Sequence, residues 1–228
     1  MGKSSGSNSG NNSEQGFRHQ NLADRIIGEL DRALNNIFCE QKSSRPYPAG
    51  SATETAGLNA EQKRMAAGLM RVNHAGEMAA QALYQGQSLT ARDPSLSQRL
   101  HQASIEEADH LNWCRNRLKE LGAKPSLLDP FWYAGSFAIG MTAGIAGDRW
   151  NLGFLAETEK QVVRHLDSHL ERLPADDQRS RAIVEQMKVD EQGHADLAEA
   201  LGAAKLPDPI KGLMKLTSKV MTTLAERF

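Results

Sequence analysis

Apolar positions along the chain repeat with the period of an α-helix. Leu22, Ile26, Leu30, Leu34 and Phe38 fall every four residues and predict a helix over 21–40. Arg45-Pro-Tyr-Pro48 breaks it. Asn59, followed three residues later by Gln62, has the form of an N-cap with its N3 partner and opens a long helix to about Leu89. Asp93-Pro94 predicts the next start and Gly122, close to Lys124-Pro125, its end. Asp129 to Asp148 encloses an uncharged run. Trp150 to Leu173 predicts a further helix, stopped by Pro174. Pro174 or Ala175 opens the next, which ends near Gly202, and Pro207-Asp-Pro209 introduces a last helix to Phe228.

Composition sharpens this into an all-α expectation. The chain has 29 Ala and 25 Leu against 6 Val and 8 Ile, so strong helix formers dominate and β-branched residues are scarce. Its 228 residues suit one domain with appendages. The expected division is a disordered Ser/Gly/Asn tail over 1–16, an N-terminal helix and linker over 17–58, and a helical domain over 59–228. The tail has neither the apolar stretch of a secretory signal nor an Arg-rich transit pattern, and Gly6 stands where a myristoylation site has Ser or Thr. A net charge of −1 argues against a mainly electrostatic nucleic-acid binder. Two cysteines, Cys39 and Cys114, cannot build a disulfide framework or a four-Cys zinc site, which favours a reducing compartment.

The chemistry lies in a long pseudo-repeat. Glu106-Glu107-Ala-Asp-His110 and Asp190-Glu191-Gln-Gly-His194 share an acid-acid-x-x-His pattern. Glu at i and His at i+3 lie on one helix face about one turn apart, so both can reach the same metal. Each pattern follows a helix that carries a Glu on an apolar stripe. Glu77 shares its stripe with Met70, Asn73, Ala80 and Tyr84, and Glu159 with Leu152, Leu155, Val163 and Leu166. A charge on such a stripe is costly to bury unless it is paired or metal-bound. Two antiparallel hairpins would therefore bring four Glu and two His into one bundle core. That donor set resembles ferritin-like di-iron carboxylate proteins and suits Fe or Mn better than zinc. The second acids, Glu106 and Asp190, are read as partners of the histidine in the opposite hairpin, Glu106 of His194 and Asp190 of His110. Plain solvent exposure is the alternative for both.

Other positions carry less weight. His165 lies about 240° around the helix from Glu159, off the ligand stripe, and is a candidate relay. His74, one turn before Glu77, is read as holding a neighbouring group, Tyr84 as core with a support behind the ligands as the alternative, and His19 and His101 as solvated. The uncharged run 130–147 borders on membrane-spanning length. One crossing would put the two halves of the site on opposite sides of a bilayer, so the run must be buried in protein or lie in one interface. Phe131, Trp132 and Tyr133 suit headgroup level, and Gly140-x-x-x-Gly144 allows close helix packing. In the last helix Ile210, Leu213, Met214, Val220, Met221 and Leu224 oppose Lys211, Lys215 and Lys219, a basic amphipathic pattern suited to an anionic membrane surface or to ordinary packing.

Arg71-Val-Asn-His-Ala-Gly-Glu77, Glu107-Ala-Asp-His110, Glu159 with His165 behind it, and Asp190-Glu-Gln-Gly-His194 together resemble the bacterial demethoxyubiquinone hydroxylase family over about residues 60–228. The resemblance implies a ferritin-like four-helix bundle and an O₂-dependent di-iron monooxygenase acting on a polyprenylated demethoxyubiquinol. Its implied iron ligands are Glu77, Glu107, His110, Glu159, Glu191 and His194, with Glu107 and Glu191 bridging two iron ions per chain. It also implies a lipid-facing helix near 131–147 and peripheral attachment to the cytoplasmic side of the inner membrane. The reductant (NADH, a flavin-derived donor or the quinol itself) is left open, as are homo-oligomerisation and contacts with other ubiquinone-biosynthesis proteins. The alternatives are a ferritin-like ferroxidase and a di-iron hydroxylase of another substrate.

Overall fold

The structure is a computed structural model that describes residues 43–52 and 57–227, together with Gly28, Asp31 and Asn35. Those three isolated positions are helical. The tail 1–16, most of the 21–40 helix and Cys39 lie outside the described residues. After a short 3₁₀ turn, Pro48–Gly50, six α-helices follow: α1 (Ala60–Thr90), α2 (Pro94–Glu120), α3 (Asp129–Ile145), α4 (Asp148–Arg172), α5 (Gln178–Ala200) and α6 (Asp208–Ala225). The described residues contain no strand.

The helix ends follow local chemistry. Asn59 Oδ1 accepts from the Glu61 and Gln62 amides at 3.0 and 2.9 Å, while Gln62 Oε1 accepts from the Asn59 amide at 2.9 Å. Asp93 caps α2 through the Ser95 amide at 2.8 Å. Two starts differ from the sequence reading. The α5 helix begins at Gln178, because Pro174 and Ala175 belong to a turn and Asp177 is the residue that caps, accepting from the Ser180 amide at 2.9 Å. The α4 helix begins at Asp148, because Gly147, at φ 109°, reverses the chain there. Asp148 also accepts from the Arg92 and Asp93 amides, both at 2.9 Å, and ties the start of α4 to the α1–α2 turn.

Helices α1, α2, α4 and α5 form the bundle as two hairpins, α1/α2 and α4/α5, with α3 as the crossover between them. Its core is layered. At one end Leu69, Met70, Trp113, Cys114, Leu118, Leu166, Ile183 and Met187 pack together. At the other, Tyr84, Leu96, Leu100, Leu152, Leu155 and Ala198 do so. In each helix the candidate ligands lie between the residues given to these two clusters. Arg117, buried on α2, pairs with Asp177 at 2.7 Å and donates to Ser180 Oγ at 2.9 Å, locking the α5 start to the end of α2.

Helix α3 packs along α1 and leaves much of its apolar surface open: Phe131 is 71% exposed and Ile145 63%. Among the described residues no helix is long and apolar enough to cross a membrane. The α1–α3 seam depends on glycine. A methyl group at Gly140 would collide with the Leu83 carbonyl, and one at Gly86 with the Phe137 carbonyl. Gly140→Ala should therefore lower the unfolding free energy by about 1–3 kcal/mol, as overpacking does. Gly135→Ala, which meets nothing within 4 Å, should be neutral or slightly stabilising in the same urea titration.

Candidate metal centre

Six side chains meet between the apolar layers. Glu77 comes from α1, Glu107 and His110 from α2, Glu159 from α4, and Glu191 and His194 from α5. All are buried except His194, whose side chain is 14% exposed. Glu107 directs Oε2 at His110 Nδ1 (3.0 Å) and Oε1 at His194 Nδ1 (3.3 Å). Glu191 does the same, with Oε1 3.0 Å from His110 Nδ1 and Oε2 3.1 Å from His194 Nδ1. These two carboxylates thus each span both histidines. Glu77 Oε2 lies 3.5 Å from His110 Nδ1. Glu159 lies on the other side, where its carboxylate accepts a hydrogen bond from the Tyr84 hydroxyl.

Both imidazoles turn Nδ1 inward and Nε2 toward an acid of the opposite hairpin. His110 Nε2 is 2.9 Å from Asp190 Oδ2, and His194 Nε2 is 3.1 Å from Glu106 Oε2. A carboxylate behind a metal-binding imidazole fixes its tautomer and raises its basicity.

Four carboxylates in one dry layer distort their own ionisation. Burial pushes Glu77 and Glu159 well above the usual carboxylate range, and the charges of Glu107 and Glu191 push them further. Burial also acts on Glu107, but His110 and His194 outweigh it and hold Glu107 below its ordinary value. Burial opposes the histidine charges, yet the surrounding carboxylates win: His110 sits well above its ordinary value and His194 is pushed up to about 12.

The residues fit a divalent cation. One donor atom each from Glu77, Glu107, His110 and Glu191 lie within 4.8 Å of one another. Glu107 Oε1 is buried without an aligned donor. Carboxylate and imidazole are the donors that Fe and Mn prefer. Glu159 and His194 stand outside that tightest group but flank the same two spanning carboxylates.

A cavity of about 500 Å³ reaches the centre from the side of α1 and α4. Glu77, Glu159 and Glu191 lie at its inner end, and Phe131, Ile139, Leu216 and Val220 of α3 and α6 line it farther out. His165 is on its wall, off the ligand stripe, with its ring 4.0 Å from that of His169 and its Nε2 buried without a partner. Burial holds both of these histidines below their ordinary value, and His169 falls to about 2. His74 Nδ1 lies 3.1 Å from Asp129 Oδ2 and joins α1 to the start of α3. His101 is partly buried, and His19 lies outside the described residues.

The sequence reading left Tyr84 as core or as a support behind the ligands, and Tyr84 is both, since its hydroxyl holds Glu159. It missed Arg45, which lies 2.7 Å from Asp190, and Asp109, which anchors the segment carrying Arg45. A proline-breaking Arg-Pro-Tyr-Pro has no periodicity to reveal either contact.

Because metal must displace protons from the groups it binds, binding should release protons near pH 7, and apparent affinity should rise with pH. Calorimetry of anaerobic Fe(II) addition in two buffers of different ionisation enthalpy measures this, and equal heats in both would contradict it.

Comparison with known proteins agrees with this architecture. A family model described as "Ubiquinone biosynthesis protein COQ7" matches residues 64–225. The chain is 56% identical over 206 residues to a 3-demethoxyubiquinol 3-hydroxylase of Polynucleobacter asymbioticus, covering 90% of this chain and 99% of that protein. It is 57% identical over 201 residues to one from Chromobacterium violaceum (88% and 97% covered). It is also 57% identical over 206 residues to one from Azoarcus sp. strain BH72 (90% and 100% covered). With the match running through all four bundle helices, the chain belongs to the COQ7 family of ubiquinone biosynthesis proteins.

Proposed function

We propose that this chain is a 3-demethoxyubiquinol 3-hydroxylase that uses O₂ and two iron ions to hydroxylate the ring of a polyprenylated quinol. The observation that carries this reading is the cavity joining the carboxylate layer to the apolar surfaces of α3 and α6. It has the mixed lining such a substrate needs, with a polar inner end and an apolar mouth.

Glu77, Glu107, His110, Glu159, Glu191 and His194 would hold the metals. Bound iron supplies the oxygen chemistry: with two electrons and two protons, one atom of O₂ enters the ring and the other leaves as water. The chain supplies position and dryness. Val72, Leu83 and Phe154 wall the cavity and exclude water, while Asn73, Thr158 and Gln161 offer polar groups to a quinol head. Tyr84 fixes Glu159 by donating its hydroxyl proton. The two electrons would come from NADH, a flavin-derived donor or the quinol itself.

The prenyl tail would leave between α3 and α6, whose outer faces keep Phe131, Ile139, Leu213 and Leu216 exposed. Lys215 and Lys219, exposed on α6, add positive charge beside them. These features support peripheral attachment to an anionic bilayer, on the cytoplasmic side of the inner membrane.

Purified protein loaded with iron should bind two irons per chain and convert a short-tailed demethoxyubiquinol to a product one oxygen atom heavier, the added atom coming from ¹⁸O₂. Glu107→Gln should lower turnover by at least about a hundredfold, since one carboxylate spans both metal positions. Fe(II) oxidation with no quinol product would point instead to a ferroxidase. Separately, Leu213→Glu with Leu216→Glu should abolish co-sedimentation with anionic phospholipid vesicles while leaving iron content unchanged.

A further inference from the structure

The side of the centre opposite the cavity is closed by a piece of chain that precedes the bundle. Ser43 Oγ donates to Asp109 Oδ1 at 2.8 Å, the Ser44 amide donates to the same oxygen at 2.7 Å, and Ser44 Oγ donates to Oδ2 at 2.9 Å. Asp109 is 2% exposed and lies within Glu107-Ala-Asp-His110, so a buried carboxylate of the ligand motif is committed to holding this segment. The next residue, Arg45, reaches across to α5. Its Nη1 lies 2.7 Å from Asp190 Oδ2, the same oxygen that faces His110 Nε2 at 2.9 Å. Its guanidinium also stacks 4.9 Å above the Trp113 ring, which in turn lies 5.2 Å from the His110 ring.

The other histidine is supported differently. The acid behind His194 is Glu106, whose side chain is 42% exposed against 17% for Asp190. The further side-chain partner of Glu106 is the Gln102 amide at 3.3 Å. A half-buried, cation-clamped carboxylate stands behind one histidine and a more exposed one behind the other.

We propose that Ser43–Arg45 is a strap belonging to the metal centre, in which Arg45 is a positioning residue that clamps Asp190 onto His110 and makes the two metal positions unequal. The inference rests on the two-metal reading above. Arg45 fixes the direction of the His110 ring through Asp190, and among the described residues the positive charge it places behind that position has no counterpart of the same geometry behind His194. The metal at His110 is therefore held by a rigid donor, and the metal at His194 by a softer one.

The test uses Co(II) alone, titrated anaerobically into metal-free full-length protein and followed by its visible absorption, so that no turnover is needed. Wild-type protein should take up two Co(II) ions in two steps of unequal affinity. Arg45→Gln should weaken one step by about tenfold or more, the usual cost of losing a group behind a ligand, and leave the other unchanged. Arg45→Lys, which keeps the charge, should recover part of the loss. Glu106→Gln should weaken the other step. Ser43→Ala with Ser44→Ala, which loosens the strap without touching Asp190, should reproduce the Arg45→Gln isotherm and shift Trp113 emission. Two Co(II) ions bound with unchanged isotherms in Arg45→Gln would overturn the strap while leaving the metal centre standing. Equal weakening of both steps that Lys does not relieve would also overturn it, as general destabilisation. Failure of the wild type to bind two ions would overturn the metal reading and the strap with it.

Discussion

Four carboxylates share one buried layer, and the remainder of the structure answers to that constraint. Ionised carboxylates in a dry interior are unstable unless cations face them. The fold meets the demand by placing two histidines among them and a further acid behind each histidine. Apolar clusters on either side keep water out of the layer. The bundle is thus stitched by hydrophobic contact at both ends and held in tension at its waist, where the charges await a stronger cation than a proton.

The placement of that waist divides the bundle by role. The histidines and their outer acids belong to α2 and α5, on the side closed by the strap. The cavity enters between α1 and α4, beneath α3 and α6. A substrate approaching from the cavity meets Glu77, Glu159 and Glu191, with His165 on the wall, before it meets His110 or His194. Access and tuning are therefore assigned to different faces, and a change in one need not disturb the other.

Much of this was legible in the sequence because the bundle is regular. The stripes through Glu77 and Glu159, and the Glu-x-x-His spacing in α2 and α5, follow from helical period alone, and the structure brings all six residues into one layer. The caps at Asn59 and Asp93 could be read because they bond to neighbours two and three residues away. The α5 start was misjudged because Pro174 advertises a helix start that the turn to Asp177 takes up. Tyr84 could be read two ways because a tyrosine on an apolar stripe can satisfy the core and the centre at once, and here it does both. Arg45 and Asp109 resisted reading for a different reason: their partners are fixed only once distant helices have packed, and no local pattern encodes that.

The order of the ligands along the chain sets when the centre can exist. Glu77 and His110 are made early, Glu191 and His194 near the end, and the two spanning carboxylates sit one in each half. Glu77, Glu107 and His110 face counterparts supplied only by α4 and α5, and Arg45 must wait for Asp190. Since a domain folds as a unit, a site built from both halves of the chain can close only once α5 has been made.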